Sequence, residues 1–339
     1  MKLRPEVLTK YVLSRIGVRD PAVLIGPTVG EDSAVIDLGD GNVLVIHSDP
    51  ITGAVEYLGW LAIHVPSNDV AVTGARPRWF LPVIYLPEGV SNEVIDRITN
   101  QMDLAAKELG AMIIGGHTEY TPGIERPMVA VTALGITRKE SIVRTGGAVS
   151  GDLILMTKTA GIEGTSILAT DFENELKAKG VSEDILLRAK GFIKHISVVR
   201  EALTLTENVH PNSMHDPTEG GIIAGLLEMA YASKKTFIVY EDRIRIAKET
   251  AILTKALGID PLKLISSGTL LATIPPSKAN EALRILREVG IDASIIGVVK
   301  DLEEDKLLVL KRADGTTEVY RDVYVEDELM RLWSMKEDT

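Results

Sequence analysis

The spacing of apolar and polar positions predicts strands and helices in the order β-β-α-β-α-β over the first part of the chain. Residues 39–42 have the composition of a tight hairpin turn between two short apolar runs. Residues 57–73 and 91–109 carry helix-spaced apolar positions, and Pro66 should kink or restart the first of these helices. This order is typical of an α+β domain. Buried strands are predicted at residues 79–86 and 111–114, and a further strand at residues 128–136.

A glycine-rich stretch at residues 144–152 predicts a boundary between two domains. It is small and polar, and a new apolar strand follows it at residues 153–157. We therefore predict an N-terminal domain over residues 1–148 and a C-terminal domain over residues 149–339. The second domain alternates predicted helices and strands in a similar α+β manner.

Composition narrows the classes of function. The chain has 339 residues, 45% of them hydrophobic, which is enough for two domains with real cores. A net charge of −11 without a basic patch argues against a nucleic-acid partner, and no apolar run approaches the roughly 20 residues of a membrane span. We expect a soluble, cytoplasmic protein. The absence of cysteine excludes disulfides and cysteine nucleophiles in this chain, and the single glutamine, Gln101, fits a thermophilic source.

A glycine pair after an apolar run has the composition of a phosphate-binding turn. Residues 111–114 end at Gly115 and Gly116, and His117 and Thr118 follow directly. Glycines let the backbone present its N–H groups to a ligand, and the polar side chains could contact an anion or a metal. The alternative, an ordinary tight turn, remains open on these residues alone.

Acidic side chains next to small residues are candidate metal ligands. Carboxylates suit Mg²⁺, which is usually shared with substrate phosphates. The alternative for each is a helix cap or a turn aspartate. Asn68 and Asp69 are harder to explain as caps because they interrupt an apolar helix. The candidates are Asp32, Asp49, Asp69 and Asp216.

The pattern also predicts where some of these residues lie relative to one another. We expect Asp32 and Asp49 at opposite ends of the predicted hairpin, unless the loop before Asp32 folds back. Residues 215–221 open a helix with glycines, which favours either an anion at the helix start or simple capping by Thr218.

Histidines and lysines add few candidates. Of the six histidines, only His117 and His215 lie in polar, glycine-flanked loops; His47 and the other three are interpreted as packing or surface residues. Lys10 and Lys158 are candidate phosphate partners by residue type, and a solvated surface lysine is the alternative for each.

Six stretches in chain order resemble the AIR synthase-related (PurM-like) superfamily. Its members include aminoimidazole ribonucleotide synthetase, thiamine-monophosphate kinase, selenophosphate synthetase and the hydrogenase maturation protein HypE, and the pattern looks closest to HypE. The resemblance covers nearly the whole chain. Each motif is modest, but six in the same order are specific. The stretches are residues 30–36, 48–49, 68–77, 115–118, 151–157 and 215–221.

This resemblance implies a two-domain PurM-like α+β fold. It has a ferredoxin-like N-terminal domain that dimerises into a barrel and a C-terminal α/β PurM-like domain. It also implies a homodimer that binds ATP in a cleft and holds the phosphates through Mg²⁺. On this interpretation the metal ligands are Asp32, Asp69 and Asp216, and the cofactor-binding residues are Asp49, Asn68, Gly115, Gly116, His117 and Thr118.

The chain also departs from its relatives. HypE ends in a cysteine-bearing tail and selenophosphate synthetase has a cysteine or selenocysteine near its start, whereas this sequence has neither. We therefore expect an ATP- and Mg²⁺-dependent enzyme with an unidentified small-molecule acceptor, working by phosphoryl transfer or ATP-driven condensation or dehydration. No catalytic residue is assigned. The alternatives are a non-catalytic, nucleotide-binding maturation or assembly factor, and a scaffold whose acidic loops are caps.

Overall fold

The computed structural model describes residues 3–52 and 56–337, which form two compact units. The first unit comprises Asp20–Gly26 and Asp32–Ile142, and the second comprises Met1–Arg19, Pro27–Glu31 and Val143–Thr339. The units are groups of mutually contacting residues and not a division of the chain at one point. The predicted boundary between residues 148 and 149 therefore stays a prediction.

Both units mix helices and strands. The helices are α1 (Pro5–Leu8, continued by a π-helical turn at Thr9–Leu13), α2 (Leu58–Val72), α3 (Asn92–Leu109), α4 (Ile162–Asp171), α5 (Glu173–Ala178), α6 (Glu183–Lys190), α7 (Val199–Asn208), α8 (Gly221–Ser233), α9 (Lys248–Leu257), α10 (Ala279–Glu288) and α11 (Glu328–Glu337). The strands are β1 (Val23–Ile25), β2 (Ala34–Gly39), β3 (Asn42–Ile51), β4 (Arg76–Leu86), β5 (Met112–Ile113), β6 (His117–Tyr120), β7 (Met128–Arg138), β8 (Leu153–Thr157), β9 (Ser213–His215), β10 (Lys235–Tyr240), β11 (Leu271–Ile274), β12 (Ala293–Asp301), β13 (Leu308–Lys311) and β14 (Thr317–Tyr320).

The first unit is one sheet with α2 and α3 packed on one of its faces. The strand order is β1-β2-β3-β7-β4-β5, and β6 pairs with the far end of β4. Alternate residues of each long strand, such as Val43, Val45 and Val131, are fully buried beneath α2. The intervening residues point to the opposite face and stay partly exposed.

Helix α2 is buried all round, and it runs through Pro66 without a break. The prediction that the helix restarts at Pro66 is therefore wrong. The Ser67 hydroxyl donates to the Ile63 carbonyl at 2.6 Å, the i−4 hydrogen bond by which a serine inside a helix satisfies its own hydroxyl. Asn68 and Asp69 accordingly lie inside one continuous helix and not after a restart.

The predicted strand at residues 111–114 exists only as β5 and is not buried. Met112 is 64% exposed and Ile114 is 48% exposed, because β5 lies at the end of the strand order. The polar residues that follow form the edge strand β6, parallel to β4, where the sequence pattern indicated a loop.

The second unit is built on another seven-stranded sheet, with order β14-β13-β10-β12-β8-β11-β9. Only β10 and β13 pair in parallel among its described strands. Helix α8 lies in the core cluster of this sheet, with Leu226, Leu227 and Met229 fully buried. None of the described helices combines the length and the apolar composition of a membrane span.

Gly59 allows the close approach of α2 and α3. A Cβ at this position would lie 2.0 Å from the Ile98 carbonyl oxygen of α3. We expect Gly59→Ala to lower the free energy of unfolding by at least about 2 kcal/mol, because backbone must move to relieve the clash. The matched control is Gly191→Ala, where a Cβ meets nothing within 4 Å. Equal stability of the two variants in chemical denaturation would contradict this packing.

Candidate functional site

The open end of the β2–β3 hairpin brings predicted site residues together. Ala34 pairs with Ile46, so Asp32 and Asp49 both lie at the end of the hairpin away from its turn. The prediction that they lie at opposite ends is wrong, because antiparallel pairing places the start of one strand beside the end of the other.

The alternation of side chains along β3 directs His47 and Asp49 towards helix α2. Val43 and Val45 of β3 are fully buried against the helical layer. His47 and Asp49 continue the same odd-numbered face, but they lie beyond the last residue of β3 that pairs with β2. The strand therefore presents an imidazole and a carboxylate where the apolar core ends.

Helix α2 supplies the second carboxylate. Asp69 lies in the last turn of α2 and is 8% exposed, beside the fully buried Asn68. The Asp69 carbonyl accepts hydrogen bonds from the hydroxyls of Ser33, at 3.0 Å, and Thr73, at 2.9 Å. Because Ser33 follows Asp32 directly, this bond ties the end of α2 to the open end of the hairpin.

His47, Asp49 and Asp69 form a cluster that we call the strand-end site. One ligand atom of each lies within 4.8 Å of the others. His47 Nε2 is 3.6 Å from Asp69 Oδ2, and His47 Nδ1 contacts the Asp32 carbonyl oxygen. Two carboxylates at this separation repel each other unless a positive charge lies between them. Carboxylate oxygens and an imidazole nitrogen are donors that divalent cations accept, so the residues fit a metal ion.

The glycine turn lies elsewhere on the same sheet. Gly116 has φ +140°, and a Cβ there would lie 2.2 Å from the Pro82 carbonyl oxygen, so glycine is needed for backbone packing alone. Asp49 pairs with Val131, which pairs with Pro82, so Gly116 is three strand spacings, roughly 14 Å, from Asp49. Gly115, Gly116, His117 and Thr118 are exposed, and one metal ion could not contact both places.

Asp216 lies in the second unit, at the end of β9 and before α8. It is 1% exposed, and the neighbouring His215 contacts Glu228 Oε2 of α8 through Nε2 at 2.9 Å. Gly220 and Gly221 form the turn into α8 with φ +81° and +64°. The loop is therefore held by defined packing and is not an open, solvated turn.

Asp327 holds this turn from the C-terminal segment, and the sequence pattern did not identify it. Its carboxylate accepts hydrogen bonds from Gly220 N–H at 2.7 Å and Leu329 N–H at 2.8 Å. Burial raises the pKa of Asp327 from 3.8 to about 6, although the backbone N–H donors act in the opposite direction. One side chain thus joins the starts of α8 and α11.

Lys158, a candidate phosphate partner by residue type, is already engaged. Its Nζ lies 2.7 Å from Glu201 Oε1 and donates to the carbonyls of His195 and Ser197, at 3.1 and 2.7 Å. Glu201 is 1% exposed, so this ion pair is buried on one side. The ammonium group therefore has its partners within the second unit. No observation in the structure supports a contact between Lys158 and a phosphate.

A separate cavity of about 680 Å³ opens in the second unit. Glu31 and Arg144 form an ion pair on its wall at 3.1 Å. The other charged residues of its lining are Lys234, Arg321 and Asp305, so positive charges outnumber negative ones there.

Comparisons with known proteins agree with this architecture. The family model for the N-terminal domain of AIR synthase related protein matches residues 30–137, and the model for the C-terminal domain matches residues 149–309. The chain therefore belongs to the AIR synthase-related protein family. The expected two-domain PurM-like α+β fold is confirmed, while each sheet stays open within the chain.

Individual relatives extend over most of the chain. A putative hydrogenase expression/formation protein of Methanocaldococcus jannaschii is 28% identical over 341 residues, covering 98% of this chain and 96% of that protein. The carbamoyl dehydratase HypE of Rhizobium leguminosarum bv. viciae is 26% identical, covering 80% and 77%. The crystal structure of hydrogenase maturation protein HypE in complex with ATP aligns with a TM-score of 0.71 at 23% identity, covering 96% of each chain, which shows a shared fold.

His47 is a functional candidate that the sequence pattern did not single out. The signal was present, because His47 lies two residues before Asp49 in a strand and therefore shares its face. What the sequence lacked was the position of α2, which decides that this face meets Asp69.

The role of Asp327 predicts a defined pH dependence of stability. A buried acid with a raised pKa binds its proton more tightly in the folded state, so its contribution to the free energy of unfolding falls as pH rises from about 4 to about 6. The total fall is at most about 3 kcal/mol. In Asp327→Asn this pH term disappears, and one of the two N–H groups loses its acceptor.

Chemical denaturation at pH 4 and pH 7 measures both effects. We expect the wild type to be more stable than Asp327→Asn at pH 4 and the difference to shrink by pH 7. The matched control, Asp322→Asn at an exposed position, should follow the wild type. A difference between wild type and Asp327→Asn that is the same at both pH values would refute the raised pKa.

Proposed function

We propose that this protein is an ATP- and Mg²⁺-dependent enzyme that acts on a small-molecule acceptor, by phosphoryl transfer or by ATP-driven condensation or dehydration. The observation that carries the proposal is the strand-end site, where Asp49 and Asp69 converge with His47 in a partly buried position. A divalent cation held there would neutralise phosphate charge, which is the main requirement of phosphoryl chemistry.

The relatives support ATP as the proposed ligand. The HypE structure that shares this fold holds ATP, and HypE of Rhizobium leguminosarum bv. viciae is named a carbamoyl dehydratase. The present sequence has no cysteine, so an acceptor group carried on a cysteine of this chain is excluded from the proposal. A free small molecule is the acceptor that we propose.

Each proposed residue has a limited role. Asp69 holds the metal and Asp49 orients it or the phosphates, because both carboxylates share the strand-end site. Asn68 lines the phosphate site beside them. Asp32 and Asp216 are proposed as further metal ligands from the family resemblance alone. The acid and base of the reaction are unassigned.

The exposed residues on the edge strand are proposed to contact the far part of a bound nucleotide. Gly115, Gly116, His117 and Thr118 are too distant from Asp49 to share its ion, as the strand register requires. An elongated ligand lying across the sheet edge could contact both groups. The predicted cytoplasmic location and thermophilic source stay predictions.

We also propose a homodimer that forms through the uncovered face of the first sheet. The side chains on this face remain partly exposed although most are apolar. Exposed apolar faces of this kind are typical of protein–protein contacts. The face includes Ile36, Leu44, Ile46, Leu81, Val83, Tyr85, Leu134 and Ile136.

A non-catalytic maturation or assembly factor is the second candidate. The observation that favours it is the relative from Methanocaldococcus jannaschii, which matches nearly full length and is named a putative hydrogenase expression/formation protein. Such a factor would bind ATP and show no turnover with any acceptor.

Nucleotide binding is tested by thermal unfolding with and without ATP, each with and without Mg²⁺. We expect ATP and Mg²⁺ together to stabilise the wild type by about 2.7 kcal/mol at a hundredfold excess over Kd, and either alone to do much less. Asp69→Asn should lose this stabilisation, whereas Asp103→Asn on exposed α3 should keep it. If ATP and Mg²⁺ stabilised Asp69→Asn as much as the wild type, the assignment of Asp69 as a metal ligand would be refuted.

The dimer is tested by sedimentation equilibrium. We expect a two-chain mass for the wild type and a single-chain mass for Ile46→Glu, because a carboxylate in the centre of an apolar interface would be desolvated without a partner. Leu104→Glu is the control, since Leu104 is 51% exposed on the helical side of the unit. A monomeric wild type would contradict the proposal directly.

A further inference from the structure

His47 adds a nitrogen donor to the two carboxylates of the strand-end site, and the type of donor affects which metal ion a site prefers. We propose that His47 is a metal ligand and that the site therefore selects a transition-series divalent cation, such as Mn²⁺, Co²⁺ or Zn²⁺, over Mg²⁺. The inference deepens the proposed function and rests on it for the role of the metal in phosphate binding. Mg²⁺ supports that role, and a transition-series ion is the one that the site prefers when both are present.

The first argument is the orientation of the ring. His47 Nδ1 contacts the backbone carbonyl oxygen of Asp32, and a carbonyl oxygen only accepts hydrogen bonds. Nδ1 therefore carries a hydrogen. A histidine whose Nδ1–H is held by a backbone carbonyl has its Nε2 available to bind a metal, which is the usual arrangement of metal-bound histidines.

The second argument is the distance between Nε2 and the carboxylate. His47 Nε2 and Asp69 Oδ2 are 3.6 Å apart, longer than the roughly 2.7–2.9 Å of a charge-assisted hydrogen bond. Two ligands of one ion, each about 2.0–2.2 Å from it, lie roughly 3–3.5 Å apart. The observed separation is thus nearer to a pair of ligands than to a hydrogen-bonded ion pair.

The third argument is the chemistry of the donor set. Mg²⁺ prefers oxygen ligands and keeps several waters, whereas imidazole suits transition metals. Two carboxylates, Asp49 and Asp69, with one imidazole leave coordination positions for phosphate oxygens. A transition-series ion in this site would bind phosphates as Mg²⁺ does and would be held more tightly by the protein.

Metal preference in the wild type is the first test. Competition between Co²⁺ and Mg²⁺ is measured by titration calorimetry without nucleotide, and the Co²⁺ visible spectrum reports its ligands. We expect Co²⁺ to bind at least about tenfold more tightly than Mg²⁺. Equal affinities would overturn the inference without any variant being made.

His47→Gln is the second test, with His210→Gln as the matched control at an exposed position in the second unit. We expect His47→Gln to weaken Co²⁺ binding by about tenfold or more and to alter its spectrum, while Mg²⁺ binding changes little. If His47 were only an ion-pair partner of Asp69, the variant would lose stability without metal and keep its Co²⁺ affinity, which would overturn the inference.

The two proposals fail in different ways. Stabilisation of the wild type by ATP and Mg²⁺ together with a Co²⁺ affinity independent of His47 would leave the proposed function standing and refute the metal assignment. Co²⁺ binding that depends on His47, in a protein that ATP does not stabilise, would support the metal site and refute the proposed binding of ATP.

Discussion

The burial of helix α2 between the first sheet and α3 is the constraint on which the candidate site depends. A helix buried all round cannot turn its polar residues to solvent, so Asn68 and Asp69 must be placed against something that tolerates them. Asp69 lies near the end of β3, where His47 and Asp49 lie on the face of the strand that points towards α2. The Ser33 hydroxyl, bonded to the Asp69 carbonyl at 3.0 Å, fixes the helix to the hairpin at this point.

The same constraint accounts for the division of the sheet into two faces. The face beneath α2 and α3 holds the core, so the polar cluster can lie only where the paired region of β2 and β3 ends. The opposite face has no described helix of this unit on it and keeps partly exposed apolar side chains. The proposed catalytic and dimerisation roles are thus assigned to different faces of one sheet, and substitutions on one face should leave the other intact.

Much of the fold could be predicted from the sequence because the apolar periodicities are long and regular. Helix α3 and strands β4 and β7 lie close to their predicted bounds. The errors have specific physical causes. Pro66 does not break α2 because packing on all sides outweighs one missing hydrogen bond. Residues 117–120 form an edge strand because backbone pairing with β4 accepts polar side chains that local pattern assigns to a loop. Asp32 and Asp49 share one end of the hairpin because the start of β2 pairs with the end of β3 in an antiparallel hairpin. The predicted hairpin turn already implied this arrangement.

The site itself was predictable only in part. The candidate carboxylates could be predicted because they stand next to small residues in the sequence. His47 and Asp327, in contrast, depend on contacts between distant parts of the chain. The central claim is that the strand-end site binds ATP through a divalent cation. Titration calorimetry of ATP into the wild-type protein, in Mg²⁺ and again in excess EDTA, tests it most directly. Saturable binding that needs the divalent cation is the predicted result, and no heat of binding in either condition would contradict the account.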